Sequence, residues 1–167
     1  IDSEISSAEM ETSGAVAAAP RREVTVSSFI DEDISESIRD VLTKAVQRVH
    51  GLQAVSVSSC FGLPIVRAVA ADAPVETVTI AETVFAPCFF VAFETASKLP
   101  IGEMRSLLVD FKEVTLLHAT LAPLSLCLVA HKRTDAEALQ TVAAELVAAL
   151  GPMKAAAEML TSRRDDE

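Results

Sequence analysis

Met104-Arg-Ser-Leu-Leu-Val-Asp-Phe111, Val114-Thr-Leu-Leu-His-Ala-Thr-Leu121 and Leu124-Ser-Leu-Cys-Leu-Val-Ala130 are three apolar runs, separated only by Lys112-Glu113 and Ala122-Pro123. Each run has the length of a buried strand. Two-residue connections join antiparallel neighbours, because a parallel crossover needs a dozen residues or more. The stretch therefore predicts a three-stranded meander. Upstream, Leu52 to Ser58 is short and β-branched and reads as a strand. Ser59-Cys60-Phe61-Gly62 reads as a hairpin turn, and Leu63 to Val69 as the returning strand. Pro64 cannot donate to a ladder, which assigns that strand to a sheet edge.

Helical periodicity surrounds these five strands. Ile38, Val41, Leu42, Ala45, Val46 and Val49 form one apolar stripe, with Asp33 and Glu36 at capping-box spacing before it and Gly51 as its stop. A second helix is expected over about Val78 to Leu99, interrupted at Pro87, so that its main part begins near Ala86. A third carries Leu139, Val142, Ala143, Leu146, Val147 and Leu150, with Thr134 and Glu137 as its capping box. Gly151-Pro152 breaks it, and helix resumes over Met153 to Leu160. The order helix, two strands, helix, three strands, helix is that of an α+β layered domain.

Charge divides the chain of 167 residues unevenly. Residues 1–36 hold nine acidic and two basic side chains, a net of −7, whereas residues 37–167 hold 15 and 12, a net of −3. Residues 1–32 read as a flexible acidic tail containing Pro20, 33–162 as the folded domain, and 163–167 as a charged end. Ser6, Ser7, Ser27 and Ser28 give the tail a possible second use as a partner-binding or phosphorylated segment. The acidic balance argues against a phosphate-tracking nucleic-acid binder. Three Cys, an odd number, fit a reducing intracellular compartment. No run reaches about 18 consecutive apolar residues, so no direct membrane insertion is expected. The chain opens on Ile1 rather than Met, as expected of a fragment or processed form, with room for an upstream targeting or lipidation signal.

Residues with chemical potential are dispersed. His50, His118 and His131 stand at no metal-ligand spacing, and His118 reads as a packed histidine in a strand. Cys88 and Cys127 read as small core hydrophobes, and Cys60 as a turn thiol. A Cys–His dyad assembled in space, or a thiol enzyme using Cys60, is the catalytic alternative. No GxxxxGK[ST] or GxGxxG run occurs. No catalytic residue, metal or cofactor is therefore assigned.

The informative element is the middle helix, which holds four of the seven Phe. Advancing about 100° per residue places Phe85, Cys88, Phe89, Ala92, Phe93 and Ala96 on one face, able to cover the sheet. Phe90 falls on the far side near Glu94 and Ser97, and Val91 also lies off the stripe. A second apolar face on one helix is the pattern of a subunit interface.

The element order, the hairpin Val49–Ser58 with Gly62–Ala68, the segment Phe93–Leu99 with Phe85, and Leu121-Ala-Pro-Leu124 resemble the roadblock family. Within it they are most similar to the branch of MEK-partner scaffold subunits of the Ragulator (LAMTOR) complex. The likeness runs from about Ile38 to Leu150. It implies a three-layer α/β/α fold: a five-stranded antiparallel sheet with two helices on one face and one on the other. It further implies side-by-side dimerisation through the middle helix and third strand, mapping to about Phe85–Lys98 and Glu103–Phe111. Phe85, Phe89, Phe90, Val91, Phe93, Glu94, Ser97, Arg105, Leu107 and Val109 are the partner-interface residues so implied. The implied role is a non-enzymatic scaffold that heterodimerises with a second roadblock subunit. Such a pair supports MAP kinase cascade proteins and Rag GTPase/TOR signalling. Its implied place is cytoplasmic, peripheral on late endosomes or lysosomes, through a lipidated anchor subunit. The alternative is a homodimeric roadblock module of the dynein light-chain or small-GTPase-regulator type. The acidic leader, Pro87 and Gly151-Pro152 are departures from the family pattern.

Overall fold

The computed structural model describes residues 32–162. The acidic tail up to residue 31 and the charged end at 163–167 lie outside the described residues. Helix α1 (Glu32–Arg48) leads into strands β1 (Leu52–Ser59) and β2 (Pro64–Val69). Helix α2 (Val75–Ile80), one π-helical turn (Ala81–Phe85) and helix α3 (Ala86–Ala96) follow without a break. Strands β3 (Ser106–Asp110), β4 (Val114–Leu121) and β5 (Leu124–His131) form the meander, and α4 (Ala136–Ala149) and α5 (Gly151–Ser162) close the described chain.

All five strands join one antiparallel sheet in the order β2-β1-β5-β4-β3. β2, which begins with Pro64, stands at one edge, and β3 at the other. The two faces are unlike. One buries Val55, Val57, Leu117, Leu126 and Leu128 beneath α1, which packs on β1 and β2, and α4, which packs on β4 and β5. The other buries Ala54, Leu116, Cys127 and Val129 against Val78 and Ala81 of the α2–α3 helix. Apolar burial contributes roughly 1.5–3 kcal/mol per large side chain. The Leu-rich face is therefore the main source of stability.

Several boundaries differ from the sequence reading for local reasons. α1 begins at Glu32, so Asp33 lies inside the helix rather than capping it. The cap of α4 is Asp135, not Thr134: its carboxylate accepts from Glu137 N and Ala138 N, both at 3.3 Å. Thr134 is held instead in a turn, its N–H donating to His131 O at 2.8 Å. The middle helix ends at Ala96 rather than Leu99: beyond it the chain tightens into three-residue turns, with Lys98 N donating to Thr95 O at 3.3 Å and Leu99 N to Ala96 O at 3.0 Å. Gly51 does end α1, at φ +87°.

Pro87 does not break the middle helix but changes its winding. Proline lacks the N–H that would bond the carbonyl of Thr83 and would clash with it in α-geometry. The wider π turn over Ala81–Phe85 makes room immediately upstream. The β1–β2 turn is pressed against this place. A Cβ built on Gly62 would lie 2.8 Å from Thr83 O and 3.2 Å from both Glu82 O and Pro87 Cδ. Gly62 also has φ +78°, a region costly for other residues. Gly62→Ala is expected to lower stability by about 2 kcal/mol or more, read as a clear fall in urea midpoint. An unchanged midpoint would mean that the turn and the helix are not in this close contact.

Candidate functional site

Beneath the middle helix the sheet carries a transverse polar row. Register places Arg67 opposite Ser56, Ser56 opposite Cys127, Cys127 opposite His118, and His118 opposite Leu107, so the row crosses all five strands. The next row sets Ser58 against Ser125 and Ser125 against Thr120. The alternation that supplies Leu126 and Leu128 to one face supplies Ser125, Cys127 and Val129 to the other.

The π turn delivers Glu82 onto this row. Its side chain is 1% exposed, and Oε2 accepts from Arg67 Nη1 at 3.2 Å. Burial raises the Glu82 carboxyl above its ordinary value, opposed by the Arg67 guanidinium and by Ser56. The Cys127 thiol is also pushed up, by burial and then by the Glu82 charge. His118 is 1% exposed and stacks on Phe89 of α3, with ring centroids 5.5 Å apart at 22°. Burial pushes His118 down to about 4. Neither ring nitrogen has a hydrogen-bond partner among the described residues, nor do Ser58 Oγ and Ser125 Oγ.

A Cys–His juxtaposition thus exists, His118 opposite Cys127. Its electrostatics oppose nucleophilic catalysis, which needs a thiolate beside an imidazolium; here burial favours the neutral form of each. Cys60 stands half-exposed in the β1–β2 turn, and Cys88 is exposed on α3 rather than in the core, a correction to the sequence reading. Among the described residues no cluster of three His, Cys, Asp or Glu could hold a metal. The row is thus organised as the underside of a helix.

The outer side of that helix and the β3 edge hold most of the interface residues implied by the resemblance. Val91 is 64% exposed and points away from the sheet, as do Ile80 and Val84, two turns and one turn upstream of Pro87. Phe85 meets Phe111 edge-on at 5.2 Å, at the end of β3. By i+3 and i+7 spacing, Cys88 and Ala92 share that flank, whereas Phe90 and Glu94 share the opposite flank with Pro87, beside Gly62. Phe89 is buried by the domain itself, against His118, Phe90 and Phe93, so it supports the surface from below. Phe93 is half-buried; Glu94 and Ser97 are exposed, and Ser97 Oγ donates to Glu94 O at 2.8 Å. On β3, Leu107 and Val109 pair with His118 and Leu116, which puts them on the helix side, half-buried at the open edge, with Arg105 exposed beside them. Ile80, Val84, Leu99 and Ile101 are exposed apolar residues that sequence reasoning misses. Ile80 and Val84 escape it because Pro87 reads as the start of a separate helix, which removes them from the ridge that carries Val91.

Across α2, the π turn and α3, Val75–Ala96 spans 22 residues and is apolar enough to cross a membrane by length and composition alone. Its apolarity serves two faces: Val78, Ala81, Ala86 and Phe89 are buried on the sheet, and Ile80, Val84 and Val91 face outward. Removing one member of its buried ion pair has a definite expected cost. Arg67→Ala leaves the Glu82 charge buried without its guanidinium and is expected to destabilise the domain by about 3 kcal/mol. The double replacement Arg67→Met with Glu82→Leu should cost less than Arg67→Ala alone. Urea unfolding of the three proteins measures this, and equal losses in both variants would contradict the pairing.

Residues 36–157 match the family model described as mitogen-activated protein kinase kinase 1 interacting. Comparison with curated proteins gave no match. Among solved structures, the roadblock/LC7 domain from Streptomyces avermitilis is 20% identical over 69% of this chain and 95% of its own, with a TM-score of 0.57. The gliding protein MglB from Thermus thermophilus is 14% identical over 81% and 97%, with a TM-score of 0.61. An MglB solved in a tetrameric arrangement is 14% identical over 81% and 96%, with a TM-score of 0.62. These likenesses establish the fold, and the family match covers well over half of the sequence. The chain belongs to the mitogen-activated protein kinase kinase 1 interacting family and has the roadblock fold.

Proposed function

We propose that this chain is a non-catalytic scaffold subunit that pairs with a second roadblock-type subunit through α3 and β3 and thereby presents MAP kinase cascade proteins to one another. The observation that carries the reading is an unpaired strand edge beside an outward apolar helix ridge. β2, the opposite edge, opens with Pro64 and has an irregular register at Val57/Ser58, features that discourage further pairing. β3 has neither and exposes its main-chain groups beside Leu107 and Val109. Covering Ile80, Val84 and Val91 is worth roughly 1.5–3 kcal/mol per fully buried side chain. Support for the kinase-cascade role comes from the family to which the chain belongs.

The fuller version of this reading places the pair on late endosomes or lysosomes, held by a lipidated anchor subunit and supporting Rag GTPase/TOR signalling. It rests on the sequence resemblance to Ragulator subunits. A homodimer is the second reading. Antiparallel pairing of two β3 strands about Leu108 would set Leu107 against Val109 and Ser106 against Asp110, with no like charges opposed. The tetrameric MglB neighbour also supports self-assembly of the fold.

Val91→Asp places a charge on the most exposed residue of the ridge without touching the core. Pairing with a co-expressed roadblock subunit, followed by light scattering, is expected to weaken at least tenfold. The circular dichroism spectrum and urea midpoint should stay unchanged. Undiminished pairing by this variant would move the interface elsewhere. A stable complex of the chain with itself alone, competing equally with other roadblock subunits, would favour the homodimer.

A further inference from the structure

The two helix layers are held to the sheet by unlike means. α1 and α4 rest on a continuous aliphatic face that includes Leu42, Leu117, Leu126, Leu128 and Leu139. The α2–α3 layer rests on small residues and on the polar row; Val78, Ala81, Ala86 and Phe89 are its buried apolar residues, with Phe85 half-buried beside them. Its two particular attachments are the Glu82–Arg67 ion pair and the Phe89–His118 stack. Beneath it lie four buried polar atoms without a hydrogen-bond partner among the described residues: both ring nitrogens of His118, Ser58 Oγ and Ser125 Oγ. Such atoms regain hydrogen bonds when water reaches them, which lowers the cost of lifting this layer relative to the other.

We infer that the α2–α3 layer is a separately releasable unit of the fold, and that proton uptake by His118 is the event that lifts it from an otherwise intact sheet. The charge would appear between Phe89 from α3, Leu107 from β3 and Cys127 from β5, none of which can neutralise it. Along the same row the charged groups are Glu82 on the π turn and Arg67 on β2, already committed to each other. Arg105, immediately before β3, is exposed at the open edge, and Glu94 and Cys88 on α3 are exposed. Once the layer lifts, the imidazole is hydrated and takes its proton near its ordinary value. A value of about 4 in the closed layer against about 6.5 in the opened one raises the opening constant up to about twentyfold between pH 7 and pH 5. Glu82 acts in the other direction: its carboxyl, raised by burial, binds a proton more readily in the closed layer and so resists release. The two signs make the His118 contribution separable.

Hydrogen exchange of the full chain, read by mass spectrometry at pH 7 and pH 5 after correction for intrinsic rates, tests this. Amides of Ala86–Ala96 are expected to open five- to twentyfold more at pH 5, while those of β5 and α4 stay unchanged. In His118→Phe, which keeps the stack on Phe89 but cannot charge, the acceleration is expected to vanish or reverse. His118→Leu serves the same purpose if the Phe variant is poorly folded. Equal acceleration in α3 and α4 would show global loosening and overturn the inference. An unchanged α3 at pH 5, or acid acceleration retained without His118, would overturn it as well.

Discussion

Arg67 meets Glu82 at 3.2 Å with the carboxylate sealed from water, and the helix that covers this face of the sheet is positioned by that contact. A buried ion pair contributes little net stability, because desolvation offsets most of the attraction. What it fixes is placement. Glu82 can reach Arg67 only if the π turn presents it inward, and the same turn sets the phase from which Phe89 lands on His118. The polar row thus specifies where the helix lies, while the aliphatic face opposite supplies most of the free energy.

The outward ridge follows from the same geometry. With Glu82, Ala86 and Phe89 turned to the sheet, Ile80, Val84 and Val91 face away from it. Pro87 forces the wider winding, and Gly62 lets the β1–β2 turn close against the exposed carbonyls. A helix apolar on two faces is costly to leave in water, and an unpaired edge strand beside it invites addition of another strand. The two features meet where Phe85 touches Phe111, and in the proposed pairing a second subunit covers both.

The architecture is legible in the sequence because each element carries its own signal. Two-residue connections at Lys112-Glu113 and Ala122-Pro123 require a meander, Pro64 marks an edge, and Gly51 a helix end. The polar row is not legible. Arg67, Ser56, Cys127 and His118 come from four strands, and only the register brings them side by side. The α4 cap falls one residue beyond Thr134 because Thr and Asp are both good cap residues, and only the turn after His131 decides in favour of Asp135. Straight α-periodicity puts Cys88 on the Phe89 face; its neighbours Ala86 and Phe89 fill that space instead, leaving the thiol exposed.

In the proposed pairing another subunit sits on the α3–β3 side. Lysines are distributed so as to test it: Lys98 and Lys112 flank that side, whereas Lys44 lies on α1 and Lys154 on α5. Cross-linking mass spectrometry on the assembled complex, with an amine-reactive reagent of short span, reads the contact directly. Inter-subunit links are expected from Lys98 and Lys112 and none from Lys44 or Lys154. Links confined to Lys44 and Lys154 would contradict it.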